Sequence, residues 1–162
     1  MDDELTAYEN LELHAVLYGV DKKTMRQRIE ELMTLVELWD RKDSRVKTFS
    51  GGMKRRLEIA RGLLHHPKVL FLDEPFEGID PVSARNIKDL LLVMVGKGIT
   101  VFLTSHILEV VERLVQSFAI IVGGEIVCSQ TMEATLRSGD TLEDLFFKHV
   151  VRETAEELEW IG

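Results

Sequence analysis

Apolar residues recur every three or four positions through the first third of the chain and then gather into short unbroken runs. Between Tyr8 and Val20, Leu11, Ala15 and Tyr18 stand at helical spacing with Gly19 near the end, which predicts a helix. Asp21 is placed to cap a second helix, with Met25, Ile29, Leu32 and Val36 on one face and Lys22, Lys23, Arg26 and Glu30 off it. A charged loop, WDRKDSRVKTF, leads into SGGMKRRLEIARGLLHHP, where Met53, Leu57, Ala60 and Leu64 predict a third helix stopped by Pro67.

The pattern changes at Lys68. Val69 to Leu72 is a continuous apolar run, as expected of a parallel strand buried on both faces, and it ends abruptly in Asp73, Glu74 and Pro75. Asp80 and Pro81 form an N-cap and N1 pair for a helix with Ser83, Ile87, Leu90 and Met94 on one side, closed by Gly96 to Gly98. Ile99 to Thr104 is a second β-branched strand, followed by Ser105, His106 and a short helix through Leu114. Strand, helix, strand, helix in this order implies a right-handed crossover and an α/β sheet. Phe118 to Val122 and Glu125 to Cys128 flank Gly123 and Gly124, a two-residue hairpin turn. The organisation expected is a helical subdomain over 1–66, a mostly parallel sheet with flanking helices over 67–150, and an acidic tail over 151–162 carrying Glu153, Glu156, Glu157 and Glu159.

At 162 residues the chain is long enough for one domain with a real core. The formal net charge of -8 argues against nucleic acid as a partner, because phosphate affinity comes mainly from Lys and Arg releasing counterions. Cys128 is alone, so it forms no internal disulfide, and its apolar neighbourhood suits a reduced core thiol in a cytosolic protein. The longest apolar run, Leu90 to Val95, is far short of the roughly 20 residues that span a bilayer. The acidic start, MDDELTAYEN, does not read as a secretory signal. A role at a membrane would require another subunit to hold the chain there.

Ligands of open α/β sheets bind beyond the carboxyl ends of the strands, where Asp73 and Glu74 fall. One carboxylate can serve a cation while its neighbour faces a water nucleophile, although an acidic pair is also an ordinary solvated strand end. Ser50, Gly51 and Gly52 precede a helix, and backbone N–H groups unshielded by Cβ atoms make an anion site there. A plain serine cap is the alternative reading. His106 follows the second strand and should emerge at the same sheet edge as the acidic pair, or else act as a capping or surface residue. His14, His65, His66 and His149 have no comparable setting and no metal-ligand spacing with Cys128.

Taken in order and spacing, these segments resemble the ABC ATPase family. FSGGMKRRLEIARGLL resembles the signature motif and its helix, KVLFLDEP the Walker B strand, EGIDP the D-loop and TSH the switch region. The likeness runs from LTAYENL, similar to the segment after the Q-loop, to LEDLFFKHV. That closing pattern and the SGGMKRR variant are similar to ATP-binding subunits of bacterial drug and polymer exporters.

The resemblance implies a P-loop NTPase-type fold, here partial. It implies that Asp73 holds Mg²⁺ through water, that Glu74 polarises the attacking water, and that His106 contacts the γ-phosphate of ATP. Ser50, Gly51, Gly52 and Met53 would complete the site of an opposing protomer in a head-to-tail homo- or heterodimer, with Asp80 communicating across the interface. A transmembrane permease subunit would hold the protein at the inner face of the cell membrane. Met53 stands where the family commonly has glutamine, which removes a side-chain amide and leaves neighbouring backbone donors intact. VQSF, Val115 to Phe118, replaces the usual aspartate and arginine before the next strand and touches only a local surface contact.

The large departure is the absence of any G-x-x-x-x-G-K-[ST] loop, of the adenine-stacking aromatic near it and of the Q-loop glutamine. Losing at least three charge-assisted hydrogen bonds removes about 5 kcal/mol or more, which weakens binding more than about a thousandfold. The expectation is an incomplete domain that alone neither binds ATP tightly nor hydrolyses it, with uncovered apolar strand edges that drive self-association. From a different class, the chain could be a natural module without a P-loop that docks on a partner ATPase and lends it a signature face. Retention of Glu74 and His106 argues against that, since such a module needs no hydrolytic residues.

Overall fold

The structure, a computed structural model, describes residues 1–154. The acidic positions Glu156, Glu157 and Glu159 therefore lie outside the described residues. The chain divides into two compact units, Met1–Thr104 and Ser105–Gly162.

The first unit opens with three packed helices, α1 (Ala7–Leu17), α2 (Lys22–Leu35) and α3 (Gly51–Leu63). Thr6 starts α1 through a capping box: its hydroxyl accepts from the Glu9 N–H while the Glu9 carboxylate accepts from the Thr6 N–H. Asp21 caps α2 by accepting from the Lys23 N–H at 2.7 Å, as the sequence suggests. Leu11 and Ala15 of α1, Ile29 and Met33 of α2, and Leu57, Ile59 and Ala60 of α3 are buried. Met33, absent from the expected stripe, is fully buried, whereas Met25 and Leu32 are only half-buried.

After α3 the chain forms β1 (Val69–Leu72), α4 (Pro81–Gly96) and β2 (Thr100–Leu103). The two strands pair in parallel, Val69 with Thr100 through Leu72 with Leu103, and α4 packs on β2. Ser83, Ile87, Leu90 and Met94, the expected inner face of α4, are all buried, joined by Leu91. The strands themselves correct one expectation. Leu70 is buried, but Phe71 is 75% exposed and Phe102 62% exposed, and their rings stack at 5.6 Å between centroids. A two-stranded sheet with α4 on one side leaves its alternate residues bare, so the apolar runs are not buried on both faces.

The second unit holds α5 (Leu108–Glu112), a hairpin of β3 (Ser117–Val122) and β4 (Glu125–Thr131), then α6 (Met132–Ser138) and α7 (Leu142–Thr154). Gly123 and Gly124 both have positive φ, 59° and 86°, the geometry of the tight turn that joins twisted antiparallel strands. This hairpin forms its own antiparallel sheet rather than extending the parallel pair. Cys128 is half-buried on β4 and not the core residue that its neighbours suggest. The fold class is α/β, with parallel and antiparallel pairing in separate sheets.

Candidate functional site

The acidic pair sits one step past the carboxyl end of β1. Because Leu72 pairs with Leu103, the next residues in register are Asp73 and Thr104. The Thr104 hydroxyl donates to the Asp73 carboxylate (Oγ1 to Oδ1, 2.5 Å) and accepts from the Glu74 N–H at 3.1 Å. One hydroxyl from the residue just past β2 thus orients the first carboxylate and fixes the backbone N–H of the second. Asp73 is exposed and Glu74 half-buried.

Glu74 has φ 44°, a left-handed conformation that costs a non-glycine residue of order 1–3 kcal/mol. Its carbonyl accepts from the Glu77 N–H at 3.2 Å, closing a tight turn behind the strand, and from Arg55 Nη2 at 3.2 Å. Arg55 belongs to the first turns of α3, so the helix that begins at Ser50 reaches the acidic strand end through one guanidinium.

Ser50 is the N-cap of α3, and its hydroxyl accepts from the Met53 N–H at 3.2 Å. Gly51 and Gly52 are therefore the first residues inside the helix, where N–H groups have no intrahelical acceptor by construction. The Met53 N–H, one of the donors available to an anion, is engaged by the cap. Gly52 is buried against α4: a Cβ there would lie 2.2 Å from Ser83 Oγ. A Cβ on Gly51 would meet the Gly78 carbonyl at 3.6 Å. The glycine-led helix start and the loop from Glu74 to Asp80 are accordingly neighbours within the first unit.

Asp80 caps α4 by accepting from the Val82 and Ser83 N–H groups at 3.0 and 2.9 Å. Its hydrogen bonds to the Ser83 side chain and backbone hold its carboxyl below the ordinary aspartate range. His106 lies in the turn between β2 and α5, at the head of the second unit, exposed and flanked by Ser105, whose hydroxyl accepts from the Ile107 N–H at 3.1 Å. The fold brings Gly51 and Gly52 against Gly78, Asp80 and Ser83, and links α3 to the acidic strand end through the Arg55 guanidinium on the Glu74 carbonyl. Thr104, Arg55 and Ser83 make these contacts, and the sequence assigned none of them an individual site role. The parallel register could have revealed Thr104. Arg55 and Ser83 carry no local signal, because their roles depend on how α3 and α4 approach each other.

Among the described residues no group of three or more His, Cys, Asp or Glu side chains gathers to hold a metal ion. Asp73 offers a single oriented carboxylate, a donor that suits a hard cation retaining most of its waters, as Mg²⁺ does. No helix among the described residues is long and apolar enough to cross a membrane.

A family profile described as ABC transporter matches residues 1–77. The linearmycin resistance ATP-binding protein of Bacillus subtilis (strain 168) is 38% identical over 143 residues, 87% of this chain and 46% of that protein. The doxorubicin resistance ATP-binding protein of Mycobacterium tuberculosis (strain CDC 1551 / Oshkosh) is 40% identical over 142 residues, 87% of this chain and 43% of that protein. A solved ATP-binding subunit of an ABC transporter superposes with a TM-score of 0.79 at 30% identity, over 91% of this chain and 63% of that one. The chain spans a little under half the length of these curated relatives.

Proposed function

Because the chain belongs to the family of ABC transporter ATP-binding proteins, we propose that it supplies the hydrolytic strand end and the signature face of an ATPase that drives export through a membrane subunit. The observation that carries this reading is the Thr104 hydroxyl that orients Asp73 and holds the Glu74 N–H at the carboxyl end of β1.

In this reading Asp73, held by Thr104, binds Mg²⁺ through its water shell. The cation supplies neutralisation of phosphate oxygens when ATP is bound. Glu74 accepts a hydrogen bond from the attacking water and orients it, and His106 contacts the γ-phosphate. Phosphoryl transfer needs positioning and charge stabilisation more than covalent help, and a carboxylate and an imidazole are groups that can supply both. Ser50, Gly51, Gly52 and Met53 face the triphosphate of a second nucleotide-binding domain in a head-to-tail dimer, with the Gly51 and Gly52 N–H groups as its donors. Asp80, in the loop against that helix start, lies where such an interface would pass. The two relatives named for drug resistance support export, and a permease would place the protein at the inner membrane face.

The phosphate-binding loop is absent from these 162 residues, so the chain contributes only part of each composite site. Equilibrium binding of a labelled ATP analogue tests this: the isolated chain should show no micromolar affinity, whereas a complex that also provides a phosphate-binding loop should bind. Micromolar binding by the isolated chain would contradict the proposal.

A further inference from the structure

We infer that Arg55 is a positioning residue for Glu74, tying the start of α3 to the carboxylate that orients water. This rests on the reading of Glu74 given above. Glu74 is held at φ 44°, where an L residue does not settle unaided. Its N–H is held by Thr104 Oγ1 at 3.1 Å and its carbonyl by Arg55 Nη2 at 3.2 Å, so side chains from two distant stretches of the chain grip the two peptide units that flank the Glu74 Cα. Arg55 is itself aimed by an ion pair with Glu58, one turn along α3, at 3.3 Å. It is only 30% exposed at the side chain, so its guanidinium is partly withdrawn from competing water.

The arrangement makes the orientation of the Glu74 side chain depend on where α3 begins. A shift of that helix start, such as occupation of Ser50 to Gly52 by another protomer's phosphate would bring, moves the Arg55 guanidinium and with it the Glu74 peptide. In this way a site completed on one face reports to the hydrolytic carboxylate of the same chain. Lysine at position 55 keeps one charged donor, whereas methionine keeps the stem and has none.

Two measurements test this. In the chain itself, the three-bond HN–Hα coupling and the Cα chemical shift of Glu74 should report a left-handed residue. Arg55→Met should move both toward ordinary values, and Arg55→Lys should move them less. If Arg55→Met does not fold, Arg55→Leu provides a second loss of the guanidinium at the Glu74 carbonyl, with the same shifts expected. In a complex that supplies a phosphate-binding loop, Arg55→Met should lower kcat on the order of tenfold to a hundredfold with KM for ATP unchanged. Glu74→Gln in that complex is the reference. Unmoved Glu74 signals, or an unchanged kcat in Arg55→Met where Glu74→Gln abolishes turnover, would overturn the positioning role. Full turnover by Glu74→Gln would instead overturn the reading of the site on which it rests.

Discussion

Gly52 approaches Ser83 so closely that a methyl group on its Cα would stand 2.2 Å from the Ser83 hydroxyl and 2.5 Å from Ser83 Cβ. Gly52, the second residue of α3, is thus required by packing against α4, whatever else its N–H binds. Alanine ordinarily gains about 1 kcal/mol over glycine within a helix, but overpacking of this kind costs roughly 1–3 kcal/mol.

A 2.2 Å approach puts the cost at the upper end of that range, so Gly52→Ala should be destabilising by a net of about 2 kcal/mol, lowering the urea midpoint without changing the slope. Ser83→Gly in the same chain should restore part of the loss by clearing the space. An unchanged or raised midpoint in Gly52→Ala would show that the two helices are not in contact at this point.

His14 is partly buried against Tyr18 and His65, with the Tyr18 ring stacked on His65 at 4.6 Å and tilted against His14 at 4.4 Å. Burial lowers its pKa below the usual histidine value, and the cationic Arg61, His65 and N-terminus push the same way. Folding therefore favours neutral His14. Its contribution is complete above the unfolded value of about 6.5, and it is lost as pH falls through the lower folded value. Stability measured by urea unfolding should fall as pH drops below about 6.5, and His14→Gln should flatten that dependence. An identical slope in both proteins would assign the effect to other groups.

The helices were legible because their apolar stripes and caps are local. Asp21, Ser50, Asp80 and Pro81 announce helix starts with the geometry the structure adopts. The Gly123–Gly124 turn was legible for the same reason, since only positive φ at both positions closes so short a hairpin. The exposure of Phe71 and Phe102 was not, because an apolar run states what a strand could bury and not how many layers cover it. Asp73 and Glu74 could be placed at a strand end from sequence. The hydroxyl that orients them and the guanidinium that reaches Glu74 come from residues 104 and 55, and only the pairing of β1 with β2 and the approach of α3 reveal them.

The bare face of β1 and β2 carries two stacked phenylalanines and Val69, 42% exposed. Apolar surface of this kind on a parallel pair with open edges favours association. The isolated chain should elute as an oligomer in light scattering, and Phe71→Lys with Phe102→Lys should shift it toward monomer. A monodisperse wild-type monomer would count against the expectation.

On the proposed reading, Glu74, whose N–H is held by Thr104 just past β1, orients the water that attacks ATP. The decisive experiment is Glu74→Gln in a complex containing a phosphate-binding loop, with hydrolysis and ATP binding measured on the same sample. The predicted result is ATP retained in a stable dimer with turnover abolished. Hydrolysis at the unmodified rate would contradict the account.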